Sequence, residues 1–173
     1  MLAALKARFN GADDFCLREL TAGGQVLYAL FLDGMTSGSD ISDFVVRPLM
    51  ENLRPGTPEE LYAQAQHGAV WCAVCEEADS AEAAADKLTH GDCVVVFLGL
   101  AKALCFEAKS GTRRGPSAPE SENTVKGAKD AFTETMRINT SLLRRHLRTA
   151  QLRFSQKTVG LRTKTAVTVC YLA

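Results

Sequence analysis

No acid follows Glu134 in this 173-residue sequence. The stretch from there to Ala173 carries eight Lys/Arg and nets +8, whereas residues 1–134 hold twelve bases against twenty acids and net −8. A chain of formal net charge +0 is thus two oppositely charged parts. Other absences narrow the class of protein. The N-terminus lacks a basic-then-apolar leader. The longest apolar stretch, Val94 to Phe106, is interrupted by Lys102 and is too short to span a bilayer. These features read as a soluble chain of intracellular style. The Gly-x-x-x-x-Gly-Lys-Ser/Thr, His-Glu-x-x-His and Gly-x-Ser-x-Gly patterns are all missing. No enzyme class is indicated, no catalytic residue is assigned and no cofactor is implied.

Six cysteines raise the question of metal or disulfide chemistry. Cys72-x-x-Cys75 is the one close pair, no second CxxC accompanies it, and neither His67 nor His90 stands at ligand spacing. Structural zinc needs four N/S ligands, so no metal site is assigned. Cys93, Cys105 and Cys170 lie in apolar strand-like runs, where a free thiol acts as a small hydrophobe. Reduced thiols in a core are expected.

The length fits one domain over residues 1–173, with a ragged terminus at 1–10. Phe15 to Leu20 and Val26 to Leu32 flank Ala22-Gly23-Gly24 and predict a hairpin, or two neighbouring strands. Asp40 is placed to cap a helix over 41–53. Thr57-Pro58-Glu59-Glu60 marks the next helix start. Val70 to Val74 reads as a short strand, and Ser80 as the cap of an Ala-rich helix ending near His90-Gly91. Asp92 to Leu98, nearly all apolar, reads as a central strand with Lys102 to Ala108 as its hairpin partner. A polar loop over 110–124 precedes one long helix, about 127 to 148, and two strands near 151–157 and 165–172. The expected fold class is α/β: a mixed β-sheet with helices packed on it, one long helix near the C-terminus and two closing strands.

On that helix Phe132, Met136, Asn139, Leu143 and Leu147 form a stripe, and Arg137, Ser141, Arg144, Arg145 and Arg148 fall away from it. Asn139 is the anomaly. A polar amide on an apolar stripe must find partners or cost roughly 1–3 kcal/mol, so its side chain is expected to bond backbone in the preceding loop or a neighbouring strand.

Pro119, Glu122, Lys126, Gly127, Phe132, Thr133, Glu134, Asn139, Leu143, Arg144, Arg145, Gly160, Thr163, Thr165 and Tyr171, preceded by Arg113 or Arg114, make a pattern. It resembles the soluble N-terminal domain of GerA-type spore germination receptor A subunits. Leu30 to Met35, Arg47-Pro48-Leu49 and Gly91-Asp92 with the following valines are similar to the family more weakly. Ala128, His146 and Leu98-Gly99 depart from its usual residues. The resemblance implies the first N-terminal subdomain of a larger membrane protein, on the core side of the spore inner membrane. It implies a permease-like B subunit and a lipoprotein C subunit as partners, and membrane spans C-terminal to Ala173.

Two oppositely charged faces suit docking between copies or against partner subunits. Arg113, Arg114, Glu122, Lys126, Arg144, Arg145 and Arg148 are the candidate contacts. Pro119, Gly127, Phe132, Glu134, Asn139, Gly160 and Tyr171 are the candidate structural motif. Two alternatives stay open: a sensor that wraps a small-molecule germinant in the loop 110–115, and a module that touches anionic headgroups. Nucleic acid is not expected, because the basic end holds only Phe154 and Tyr171 as aromatics and the acidic part repels a polyanion.

Overall fold

The structure is a computed structural model in which residues 1–110 and 131–173 are described. The first hairpin follows from its glycines. Strand β1 (Phe15–Ala22) and strand β2 (Gln25–Leu32) pair from Phe15↔Leu32 to Ala22↔Gln25. Gly23 and Gly24 turn between them at φ 58° and 78°, which a two-residue turn with matching twist requires. Strand β3 (Cys75–Ala78), strand β4 (Asp92–Phe97) and strand β5 (Ala103–Glu107) complete a sheet of order β1-β2-β4-β5-β3. Every pairing in it is antiparallel. All six residues of β4 are buried, as an apolar run at the sheet centre demands.

Alternation along β4 divides the core. Cys93, Val95 and Phe97 face one side with Leu27, Ala29, Leu104 and Phe106. That side is covered by a helical rod built from α2 (Gly38–Asp40), a π-helical stretch (Ile41–Val46) and α3 (Arg47–Asn52), and by α4 (Pro58–Gln64). Val94 and Val96 face the other side, under α1 (Leu2–Arg8) and α5 (Ala81–Thr89). Local caps set the helix starts. Thr57 and Glu60 form a reciprocal capping box, and the Ala83 N–H donates to Ser80 Oγ at 3.1 Å.

Several expectations are corrected. Residues 1–10 are not ragged, because Leu5 and Phe9 are fully buried under the sheet and hold α1 in place. The cap of the first rod is Ser37, whose Oγ accepts from the Asp40 N–H. Ser37 is extended, whereas Asp40 is already helical. No strand forms over Val70 to Val74. The Trp71 N–H donates to Phe44 O at 3.2 Å, which ties this segment to the rod, and β3 starts one residue later.

The long helix is shorter than its periodicity predicts. It is α6 (Met136–His146), with Thr135 extended before it. The cause is Asn139. Its Oδ1 accepts from the Thr133 N–H at 2.7 Å and its Nδ2 donates to Thr133 O at 2.7 Å. Both backbone groups of Thr133 are therefore engaged outside a helix, as expected for a stripe amide that needs loop partners. Phe132 consequently lies before the helix and is exposed, and Glu134 is exposed as well. The buried positions of α6 are Ser141, Leu142 and Arg144. This rotation reflects a close crossing. Gly34, at φ 83°, lies under the helix, where a Cβ would stand 3.3 Å from Arg137 O and 3.2 Å from Ser141 Cβ.

Strand β6 (Leu152–Val159) and strand β7 (Thr165–Leu172) pair antiparallel as a separate two-stranded sheet. Gly160, at φ 86°, opens their turn, and the Lys164 N–H closes it on Gly160 O at 3.3 Å.

Candidate functional site

Asp13 and Asp14 end the loop before β1, and the chain's most distant elements converge on them. Arg144 on α6 is completely buried, and its guanidinium grips Asp14 at two points, Nε to Oδ2 at 3.0 Å and Nη2 to Oδ1 at 2.8 Å. Its Nη1 donates to Thr149 O at 2.9 Å, and its Cζ sits 5.1 Å from the centre of the Phe154 ring. A buried guanidinium thus has a carboxylate, a carbonyl and an aromatic face, the set that such a charge requires. Asp13 holds β6 in a similar way. Its N–H donates to Phe154 O at 2.9 Å, and its Oδ2 accepts from the Gln156 N–H at 2.6 Å. Arg153 Nη2 donates to Arg8 O at 2.8 Å, and Arg137 pairs with Asp33 at 2.6 Å. Asp33 in turn donates its N–H to Asp14 O at 2.8 Å. A cavity of about 130 Å³ lies within this joint, bounded by Asp13, Asp14, Arg137, Phe154 and Thr168.

The joint carries the β6–β7 hairpin, and the hairpin carries apolar side chains that no other described residue covers. Leu152 and Phe154 are buried at its base. Farther out, Val159, Val167, Val169 and Tyr171 point to the same side of the two strands, by their register and strand alternation. All four are exposed, Val169 to 59% and Tyr171 to 48%. Cys170, expected in the core, is exposed too, because no described residue covers the outer part of β7. The other five thiols are free and partly or fully buried. Burial pushes Cys93 well above the ordinary thiol range and Cys105 up to about 12. Among the described residues no cluster of three or more His, Cys, Asp or Glu is placed to hold a metal ion.

The sequence-derived contact residues separate. Arg113, Arg114, Glu122 and Lys126, with Pro119 and Gly127, lie outside the described residues. Arg145 is half-buried and Arg148 exposed beside the joint. Arg144 is corrected from a surface contact to an internal tie, because Asp14 and Phe154 enclose it. Asp14, Arg153 and Phe154 were not foreseen. The available signals were weak: two adjacent acids before a strand, and an arginine flanked by Leu152 and Phe154.

Among the described residues, no helix is long and apolar enough to cross a membrane. A sequence family described as Bacillus/Clostridium GerA spore germination protein matches residues 3–173. Uncharacterized membrane protein YfkQ of Bacillus subtilis (strain 168) is 29% identical over 164 residues, which cover 94% of this chain and 32% of that protein. Spore germination protein B1 of the same organism is 27% identical over 179 residues, covering 99% of this chain and 35% of that one. The chain spans about a third of the length of these relatives. The fold is that of the N-terminal domain of the A subunit of the Bacillus megaterium spore germinant receptor GerK3, in its crystal structure. The TM-score is 0.71 at 21% identity, over 99% of this chain and 62% of that one.

Proposed function

This chain belongs to the GerA family of spore germination proteins, and we propose that it is a non-enzymatic soluble domain of a spore germinant receptor A subunit. It takes part in receptor assembly and in relaying the nutrient signal during germination. Residues 1–173 form a single unit, the first N-terminal subdomain of a larger membrane protein on the core side of the spore inner membrane. Its partners are a permease-like B subunit and a lipoprotein C subunit. Family membership and the names of the relatives support the setting.

The observation that carries the assembly role is the hairpin. Four apolar side chains lie exposed on one face of β6–β7, and β6, which pairs with the strand bearing three of them, is anchored to the body through the joint around Arg144. Exposed apolar surface of this kind marks a contact surface. A rigid joint beneath it transmits displacement of the hairpin to the loop before β1 and to α6, which is what a relay needs. Arg145 and Arg148 add positive charge nearby, which favours an acidic partner surface.

The test places Val167→Lys together with Val169→Lys in the full-length A subunit within spores. Loss of B and C subunit co-purification and of nutrient-triggered germination is expected. The isolated domain carrying both changes should melt within about 4 °C of the original, since exposed substitutions typically stay within ±0.5 kcal/mol each. Normal assembly and germination in that variant would rule the hairpin out as the contact.

A further inference from the structure

A second concave site lies on the opposite side of the sheet's centre from the α3 rod, beside the C-terminal end of α5, and shares no residue with the hairpin. It is a cleft of about 320 Å³, within the size range of small-molecule sites. Its buried members are Cys105 and Asp92, from neighbouring strands β5 and β4. Glu107 lies directly across from Asp92 in the β4–β5 ladder, and Glu76 lies across from Cys105 on β3. Asp86 and Lys87 close the cleft from α5, and Lys109 closes it from the end of β5. Four carboxylates thus face two ammonium groups.

Those two ammonium groups are engaged by two of the cleft's own carboxylates. Lys87 Nζ holds Glu76 at 2.7 Å and Lys109 Nζ holds Glu107 at 3.0 Å. Asp92 is left over. Its side chain is 9% exposed, its Oδ1 is shielded from solvent and has no hydrogen-bond donor, and its nearest cation, Lys109 Nζ, stands off at 3.8 Å. Burial raises its pKa, with Lys109 and Lys87 opposing the shift and Glu107 and Glu76 adding to it. A buried carboxylate oxygen without a donor is costly wherever it occurs. Two acids directly opposite on neighbouring strands add repulsion.

The geometry points to a binding site for a small primary-ammonium compound, which would take the place of the Lys109 ammonium and donate its N–H groups to Asp92 Oδ1 and to the facing carboxylate of Glu107. A primary ammonium supplies both missing quantities, three donors and one positive charge. A metal ion is not indicated, since no set of three potential ligands converges among the described residues. An anion would meet the surplus of carboxylates.

The test is thermal melting of the 173-residue chain against methylammonium, with tetramethylammonium as the matched cation that cannot donate, at constant ionic strength. A saturable rise with methylammonium is expected, roughly 3–6 °C at ten times the dissociation constant. The rise should be absent with tetramethylammonium and lost in Asp92→Asn, whose folding is checked by far-UV circular dichroism. Lys109→Met removes the competing ammonium and should shift the half-saturation point to lower methylammonium concentration. That outcome has the opposite sign to any loss of fold. The proposal is overturned by a flat titration, by equal responses to the two cations, by an undiminished response in Asp92→Asn, or by an unmoved midpoint in Lys109→Met. None of these results bears on the hairpin contact, which is read from assembly in spores.

Discussion

Arg144 and Asp14, 130 residues apart in sequence, meet in a two-point ion pair from which solvent is almost excluded, the side chains being 0% and 10% exposed. Breaking a buried pair from one side leaves the other charge uncompensated, which typically costs about 3–5 kcal/mol. Asp14→Ala is expected to destabilise the chain by that order in urea unfolding. The double change Asp14→Leu with Arg144→Met should cost less than the sum of the two single changes, because it strands no charge. Strict additivity would show that the two groups do not act as a pair.

Asn139→Ala removes the amide that engages both backbone groups of Thr133. The loss should be about 1–3 kcal/mol, a drop in Tm of roughly 2–4 °C per kcal/mol for a domain of this size. An unchanged melting temperature would show that the bonds between Asn139 and Thr133 do not stabilise the start of α6.

Asp92 gives stability a distinct pH dependence. Burial raises its folded-state pKa above the ordinary 3.8, with Glu107 and Glu76 in the same direction and Lys109 and Lys87 against. The native state therefore binds the proton more tightly than the unfolded chain. Its contribution is fully present below pH 3.8, and is lost as pH rises through the folded value. Asp92→Asn should consequently raise Tm at about pH 7, and its advantage over the parent should shrink as pH falls towards 4. An advantage independent of pH would locate the effect in packing rather than in the charge.

Thiol reactivity should follow exposure. Cys170 is exposed, whereas Cys93 and Cys105 are buried with thiols pushed up, Cys105 to about 12. Thiolate is the reactive form, so a disulfide reagent near pH 8 should label Cys170 first and Cys93 and Cys105 only on unfolding. Peptide mapping by mass spectrometry reads the order. Early labelling of Cys93 in folded protein would show that β4 opens far more readily than its burial implies.

The elements legible in the sequence are those whose signals are local. The double glycine at 23–24, the Thr57 to Glu60 capping box, the Ser80 cap and the apolar run of β4 each lie within a few residues of the structure they direct. The GerA resemblance was legible in the same way, as a run of closely spaced residues. What escaped depends on distant partners. Arg144 has the helical spacing of a surface residue, and nothing near it in sequence announces Asp14. The stripe through Phe132 does not continue as helix, because Asn139 satisfies itself on Thr133 and the helix begins only at Met136. The short α1 was missed because Leu5 and Phe9 acquire their meaning only once the sheet exists to cover them. The cleft at Asp92 was invisible for a related reason. Its carboxylates come from three strands and a helix, and only pairing brings them together.

The tie between Asp14 and Arg144 also sets an order of events during synthesis. A growing chain exposes Asp14 early, and the guanidinium that answers it is made 130 residues afterwards, roughly 6–26 s at 5–20 residues per second. In that interval the hairpin of β1 and β2 can form, while the acid at its base stays hydrated. Once α6 is made its guanidinium can pair with Asp14, and β6, made after it, can then seat on Asp13. The same residue pair that anchors the hairpin in the finished protein therefore cannot close until most of the domain has been made.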